Sequence, residues 1–283
     1  MQHEKNIQIA GAAGKKIILD IFYERAGSRR PVVIYSHGFN GFKDWANTDL
    51  IATRFAEQGF TFIKFNFSHN GTTATEPETF ADLQAFSENN YTKQLYDLAA
   101  VIDWCADPLN KFAKQVDPGK ISLVGHSMGG GIAILQAARD KRIAKLVCWA
   151  SIAECKTPWG TWPDEKINEW KINGVAYYIN TRTSQHLPML FQLYEDYQNN
   201  AEEYDIKAAI SRLRIPILLC HGLKDSSVPF EKALELQGAQ PAATLFTVDS
   251  DHVFERKHPW PEPDLPGSME DIVLESIKFL KKG

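Results

Sequence analysis

The stretch Ile121 to Gly131 (Ile-Ser-Leu-Val-Gly-His-Ser-Met-Gly-Gly-Gly) constrains the fold more than any other part of the chain. A short apolar strand runs into Gly125-His126-Ser127-Met128-Gly129 and directly on into the apolar helical pattern of Ile132 to Ala138. A strand that becomes a helix within one residue leaves the serine at its tip in a strained conformation, with the hydroxyl pushed out of the sheet edge. Side chains at Gly125 and Gly129 would collide with the neighbouring strand and helix. The unpaired N–H groups of the helix start, and the positive end of its dipole, then face the spot where negative charge could develop. Ser127 is therefore the candidate nucleophile. Taken alone the pattern is short, and it could simply be a turn that closes a strand onto a helix.

With 283 residues, 44% of them hydrophobic and 23% charged, the chain has material for a large core. One sizeable domain with an insertion fits better than two equal domains. A net charge of -4 with scattered basic residues gives no general attraction for nucleic acid or anionic membrane. A small-molecule substrate is the expected partner, with a homodimer left open. The N-terminal residues have no long apolar run, and no later stretch approaches the roughly 18 apolar residues that suggest a membrane span, so the chain reads as soluble and cytoplasmic. Cys105, Cys148, Cys155 and Cys220 lack C-x-x-C spacing and read as buried, reduced thiols.

Gln8 to Ala10 and Lys16 to Tyr23 predict an antiparallel hairpin turned at Gly11 to Gly14, and Gly27 to Pro31 breaks the pattern. Val32 to Tyr35 is a β-branched run of the kind buried on both faces, and it leads into the loop Ser36 to Gly41. A helix is expected over Asp49 to Gln58, a strand over Thr61 to Phe67, a long polar loop over Ser68 to Asn90 and a helix over Tyr91 to Cys105. Asp117-Pro118-Gly119 turns the chain into the strand before Ser127, and Lys145 to Ala150 follows the next helix as a strand. This alternation predicts a mainly parallel sheet with helices on both faces. It lapses over residues 151–200, which hold three tryptophans and many other rings, and resumes with Ile215 to Cys220, a helix near Phe230 to Leu236, Thr244 to Val248 and a last helix, Met269 to Leu280. The expected division is a core of residues 1–150 and 201–283 with a cap of 151–200. About half of the cap's rings are expected to form its own small core.

A serine hydroxyl needs a histidine base, and that histidine needs a carboxylate to fix its tautomer. Asp225 lies just beyond the strand ending near Cys220, where ligands collect in open α/β sheets, and His252 lies in the loop after the last strand. These are the expected acid and base. Asp249 and Asp251 are rivals that read better as loop-shaping residues. No second histidine stands at ligand spacing from His252, so no metal and no cofactor is expected. His37 is expected to hold the loop before Gly38, His126 to pack beneath the turn, and His3, His186 and His258 to be exposed. The oxyanion hole would take N–H groups from Phe39 and Met128.

With His37-Gly38-Phe39, Gly125-His126-Ser127-Met128-Gly129, Asp225 and His252 in this order, the chain resembles the α/β-hydrolase superfamily over nearly its whole length. Within it, His37-Gly38-Phe39-Asn40-Gly41, the modest cap and Tyr204-Asp205-Ile206 leading into Ile215-Pro216-Ile217 are similar to cinnamoyl or feruloyl esterases and dienelactone-hydrolase-like proteins. Dienelactone hydrolases proper carry a cysteine nucleophile where this chain has Ser127. Relatives often carry an Arg-Gly-His-Gly loop where it has Ser68-His69-Asn70-Gly71. The resemblance implies an eight-stranded, mostly parallel sheet and a serine hydrolase that cleaves carboxylic esters through an acyl-enzyme. An amidase or aminopeptidase with the same triad, or a weakly catalytic receptor, are the alternatives. Trp159, Trp162, Tyr178 and Tyr194 are the expected substrate-binding rings, suited to an aromatic or short-to-medium acyl ester rather than a charged one.

Overall fold

A computed structural model describes residues 1–24 and 29–282. Its main sheet has the strands β1 (Gln2–Ala10), β2 (Lys16–Tyr23), β3 (Arg30–Ser36), β4 (Thr61–Asn66), β5 (Val116–His126), β6 (Ile143–Trp149), β9 (Ile217–Gly222) and β10 (Thr244–Val248). Their order across the sheet is β1-β2-β4-β3-β5-β6-β9-β10. Pairing is antiparallel for β1 with β2 and β2 with β4, and parallel from β4 through to β10. The chain leaves β3 to one side to form β4 and returns on the other side as β5. The helices that follow β3 and β5 therefore lie on opposite faces of the sheet, which makes the carboxyl ends of these two strands the usual ligand position in such sheets.

The β3 run alternates between two cores, which is why it is apolar throughout. Val32 and Ile34 pack into one core with the helices α3 (Tyr91–Ala106), α4 (Met128–Arg139), α7 (Ile206–Arg212) and α8 (Glu231–Ala239). Val33 and Tyr35 pack into the other with α1 (Thr48–Glu57) and α9 (Gly267–Lys281). β1 extends well beyond the expected Gln8 to Ala10, because its outer residues pair with β2 without being buried. The polar loop before α3 contains a short helix, α2 (Leu83–Ser87), capped by the Asp82 carboxylate on Ala85 N–H at 2.9 Å. Ser68 and the Ala12 backbone are both tied to buried Asp97, which anchors that loop to the first hairpin. Of the break expected at Gly27 to Pro31, Gly27 and Ser28 lie outside the described residues. All four cysteines are buried and free. Among the described residues, no helix is long and apolar enough to cross a membrane.

Between β6 and α7 the chain leaves the sheet to form α5 (Asp164–Asn173), a two-stranded hairpin of β7 (Val175–Asn180) and β8 (Gln185–Leu190), and α6 (Gln192–Asn199). Trp170 is the centre of this segment, with Trp159, Trp162, Phe191 and Tyr194 around it at 5.4 to 6.2 Å between ring centroids. Its indole N–H donates to the Met189 carbonyl at 2.8 Å, so the one polar atom of the buried ring is satisfied.

Beneath the loop after β3 lies a buried charge cluster. Lys64 is fully buried and meets Asp20 at 3.3 Å, Asp49 at 2.5 Å and also Asp44, while Lys43 meets Asp20 at 2.8 Å and Asp44 at 2.6 Å. Burial disfavours every charge here. The lysines nevertheless hold Asp44 and Asp49 below the usual carboxylate range, and the carboxylates hold Lys64 above the usual lysine range. Depressed carboxyls contribute stability that is present above their unfolded pKa and lost as pH falls through the folded one. The raised lysine contributes below its unfolded pKa and loses that contribution as pH rises through the folded one. Lys64→Ala is expected to cost about 3 kcal/mol or more, because it strands buried carboxylates. It should also flatten the loss of stability below about pH 4, the unfolded range of the aspartates. Urea unfolding at pH 7 and pH 4 measures both effects, and equal midpoints for variant and parent at pH 7 would contradict the expectation.

Candidate active site

β5 ends at His126 and α4 begins at Met128, so a single residue, Ser127, makes the turn, with φ 56° and ψ -122°. A non-glycine residue held there stores roughly 1–3 kcal/mol of strain, which the surroundings must enforce. They do so through the Ser127 N–H, which donates to the Trp149 carbonyl at 2.9 Å, and the Ser127 carbonyl, which accepts from Gly130 at 3.0 Å and Ile152 at 3.3 Å. The helix start presses close to the strand ends: a Cβ on Gly129 would lie 2.3 Å from the Ser36 carbonyl oxygen, and one on Gly125 2.3 Å from the Gly129 oxygen.

The loop after β3 lies against this turn, since a Cβ on Gly38 would stand 3.0 Å from the Ser127 Cβ. His37 is buried and donates from Nδ1 to the Gly38 carbonyl at 2.8 Å. Burial lowers its pKa to about 4 against the opposing pull of that carbonyl, so it holds the loop as a neutral ring. Among the described residues, the N–H groups of Phe39 and Met128 have no hydrogen-bond acceptor in the protein. Two free donors beside a serine are what an oxyanion would need.

Asp225 sits in the turn after β9, where its Oδ1 accepts from the N–H groups of Ser227 at 2.9 Å and Val228 at 2.8 Å. Its Oδ2 accepts from His252 Nδ1 at 2.7 Å, and His221 Nε2 lies 3.3 Å from the same oxygen. Burial pushes this carboxyl up, but the hydrogen bonds from His221 and His252, the His252 charge and the Val228 N–H outweigh it and hold Asp225 well below the usual range. It is a carboxylate across the working pH range. The turn carrying Asp225 is bound to the loop carrying His252 through Leu223 N–H to Val248 and Lys224 N–H to Ser250, both 2.9 Å. Asp251 accepts from Val253 and Glu255 N–H at 3.0 Å, and Asp249 pairs with Lys224 in solvent. Neither reaches His252 in place of Asp225.

Two histidines have a part here that their sequence positions did not convey. His221 approaches the same Asp225 oxygen as His252, and its Nε2 donates to the Val228 carbonyl at 2.8 Å. His126 does more than pack beneath the turn, as its Nε2 donates to the main-chain carbonyl of His252 at 2.9 Å. Burial, helped by the His252 and Arg256 charges, keeps His126 neutral, so it ties the serine turn to the His252 loop without a competing charge. His258, expected to be exposed, instead accepts from Ala46 N–H at 3.0 Å and packs against Phe42 and Trp45.

Ser127, His252 and Phe39 open onto one cavity of about 490 Å³, whose walls include Ile152, Pro158, Val228 and Pro229. Of the four rings expected at the substrate, Tyr178 lines this cavity and packs edge-on against Phe39 at 5.0 Å. Trp159, Trp162 and Tyr194 lie instead in the ring cluster around Trp170, away from the cavity wall. These three rings find more apolar surface among themselves than at an open cavity. Ser127 Oγ forms no hydrogen bond to His252 here, a contact that commonly tightens only when substrate is bound.

A reactive serine of this kind should be labelled by a fluorophosphonate probe, and Ser127→Ala should abolish the labelling. His126→Ala is expected to slow labelling about tenfold by freeing the base loop, with His126→Gln recovering part of the rate through its own amide donor. Labelling by His126→Ala at the parental rate would show that the tie to His252 does not matter.

Comparison with known proteins agrees with this architecture. The quorum-quenching protein AidA of Acinetobacter baumannii is 28% identical over 117 residues, 41% of this chain and 34% of its own length. Human mitochondrial palmitoyl-protein thioesterase ABHD10 is 23% identical over 241 residues, 84% of this chain and 69% of its own. The matched stretch thus spans about a third of the length of the first curated relatives. Est1E of Butyrivibrio proteoclasticus, solved with ferulic acid bound, superposes with a TM-score of 0.72 at 18% identity, covering 98% of this chain and 100% of that one, which speaks for the fold alone. The family model described as the alpha/beta hydrolase fold matches residues 31–177, more than half of the chain, and the chain belongs to that family.

Proposed function

We propose that this protein is a serine hydrolase of carboxylic esters. The observation that carries the reading is the 2.7 Å contact between Asp225 and His252 on a cavity that also holds the strained Ser127. His252 Nδ1–H donates to the carboxylate, which leaves Nε2 as the basic nitrogen. In the first step Ser127 Oγ bonds to the acyl carbon as its proton passes to His252 Nε2, and the carbonyl electrons move onto oxygen, held by the Phe39 and Met128 N–H groups. The C–O bond to the alcohol then breaks and the alcohol takes the proton from His252. Water repeats the sequence on the acyl-enzyme, its proton going to His252 and then to Ser127 Oγ as the acid leaves. Asp225 stays ionised and stabilises the imidazolium in both halves.

Residues 151–200 act in this reading as a cap: Tyr178 reaches down to the oxyanion loop, and the ring cluster around Trp170 keeps the hairpin rigid above the cavity. Phe39, Ile152, Pro158, Tyr178, Val228 and Pro229 offer mainly apolar surface, which suits short-to-medium or aromatic arms. Est1E was solved with ferulic acid, an aromatic carboxylic acid, and ABHD10 is named a palmitoyl-protein thioesterase; an aromatic acid product and thioester cleavage both fit a serine acylation route.

In a panel of 4-nitrophenyl esters of graded acyl length beside aminoacyl 4-nitroanilides, esters are expected to be cleaved and anilides left intact. Asp225→Asn should lower kcat by about three to four orders of magnitude. Cleavage of anilides in preference to esters would turn the reading to an amidase, and inertness toward the whole panel would remove it.

A further inference from the structure

Apart from His252, the charged groups on the wall of the Ser127 cavity are Lys156, Lys232 and Glu154, two cations and one anion. Glu154 is shared between both lysines, with Oε2 2.8 Å from Lys156 and Oε1 3.3 Å from Lys232. Lys232 also meets Glu235 at 2.8 Å, and Glu235 in turn meets Lys207 at 3.3 Å. The row runs cation, anion, cation, anion, cation, so it carries one positive charge in excess, and its cavity end is Lys156. An ammonium has three donors. Lys156 spends one on Glu154 and has no other ion-pair partner among the described residues, which leaves donors for a ligand.

The position of Lys232 adds to this. It stands in the first turn of α8, where the helix dipole disfavours a cation, and Val228 and Pro229, which lead into that helix, also line the cavity. Glu231 is exposed and is not part of the wall. The lysine side chains are 41% and 32% exposed, so their field is screened but not lost. A neutral apolar substrate would leave this excess charge unanswered beside it, whereas a carboxylate would accept the free donors of Lys156 in a charge-assisted bond.

We infer that the ester substrates carry a carboxylate as well as the scissile bond, and that Lys156, supported by Lys232, seats it. This rests on the ester hydrolase reading above and revises the expectation of an uncharged substrate: the apolar wall takes the arm, and the lysine row takes its acidic end.

Two matched pairs test it, each corrected for uncatalysed hydrolysis. For the acyl side, 4-nitrophenyl pentanoate is compared with mono(4-nitrophenyl) glutarate. For the alcohol side, 4-methylphenyl butyrate is compared with 4-carboxyphenyl butyrate. The parent protein should favour the carboxylated member of one pair by roughly fivefold or more in kcat/KM, the worth of one half-exposed ion pair. Lys156→Glu should abolish or invert that ratio and Lys156→Arg should keep it, with thermal melting confirming that each variant is folded. Equal kcat/KM within both pairs, or a preference untouched by both Lys156→Glu and Lys232→Gln, overturns the inference and leaves the hydrolase reading standing. Failure to cleave any of the four esters overturns both.

Discussion

The close approach of the α4 start to the ends of β3 and β5 is the contact on which the candidate site depends. Carbonyl oxygens stand 2.3 Å from where Cβ atoms on Gly125 and Gly129 would be, so no other residue type fits at either position without moving the helix. That contact forces the turn into one residue and holds Ser127 at φ 56°. The strain is not a defect of the loop, because it is what lifts the hydroxyl clear of the sheet and aligns it with the N–H groups of the helix start.

Around this point the site is assembled mainly by backbone hydrogen bonds. Asp225 is oriented by two main-chain N–H groups, its turn is joined to the His252 loop by two more, and His126 reaches across to the His252 carbonyl. The bonds to Asp225 need its carboxylate and the bond from His126 needs its ring N–H, and the burial of Asp225 and His126 makes those bonds costly to leave unmade. The neutral states of His37 and His126 follow from the same burial. They serve as fixed donors, and His252 is the histidine whose side chain lines the cavity.

The inserted segment divides its side chains by packing. Its tryptophans and Phe191 interlock around Trp170, while the surface it turns to the cavity is built of smaller or mixed residues such as Pro158, Gly160, Thr161 and Tyr178. A small appended layer has little core of its own, so the rings that pack around Trp170 are needed for its stability and are not free to line an open pocket. Charge then does at the cavity what rings do not, through the row that begins at Lys156.

The sequence by itself determined the alternation of strands and helices, the Ser127 turn and the identities of Asp225 and His252 as neighbours. Each of those rests on local pattern: a buried run in β3, a glycine-flanked serine, or a polar residue just past a strand end. It did not determine which rings meet a ligand, because Trp159 and Tyr178 are both aromatic residues of one insertion and differ only in what packs against them. Nor could it convey that Lys156, Lys232 and Glu154 share a wall, or that His126 and His221 contact the His252 loop and the Asp225 turn, since those contacts join residues 78 to 126 apart or turn on how one loop bends back. Tertiary structure decided these points for one physical reason. Side-chain burial and charge pairing depend on distances set by the whole chain, while backbone geometry at a tight turn is set by the few residues that make it.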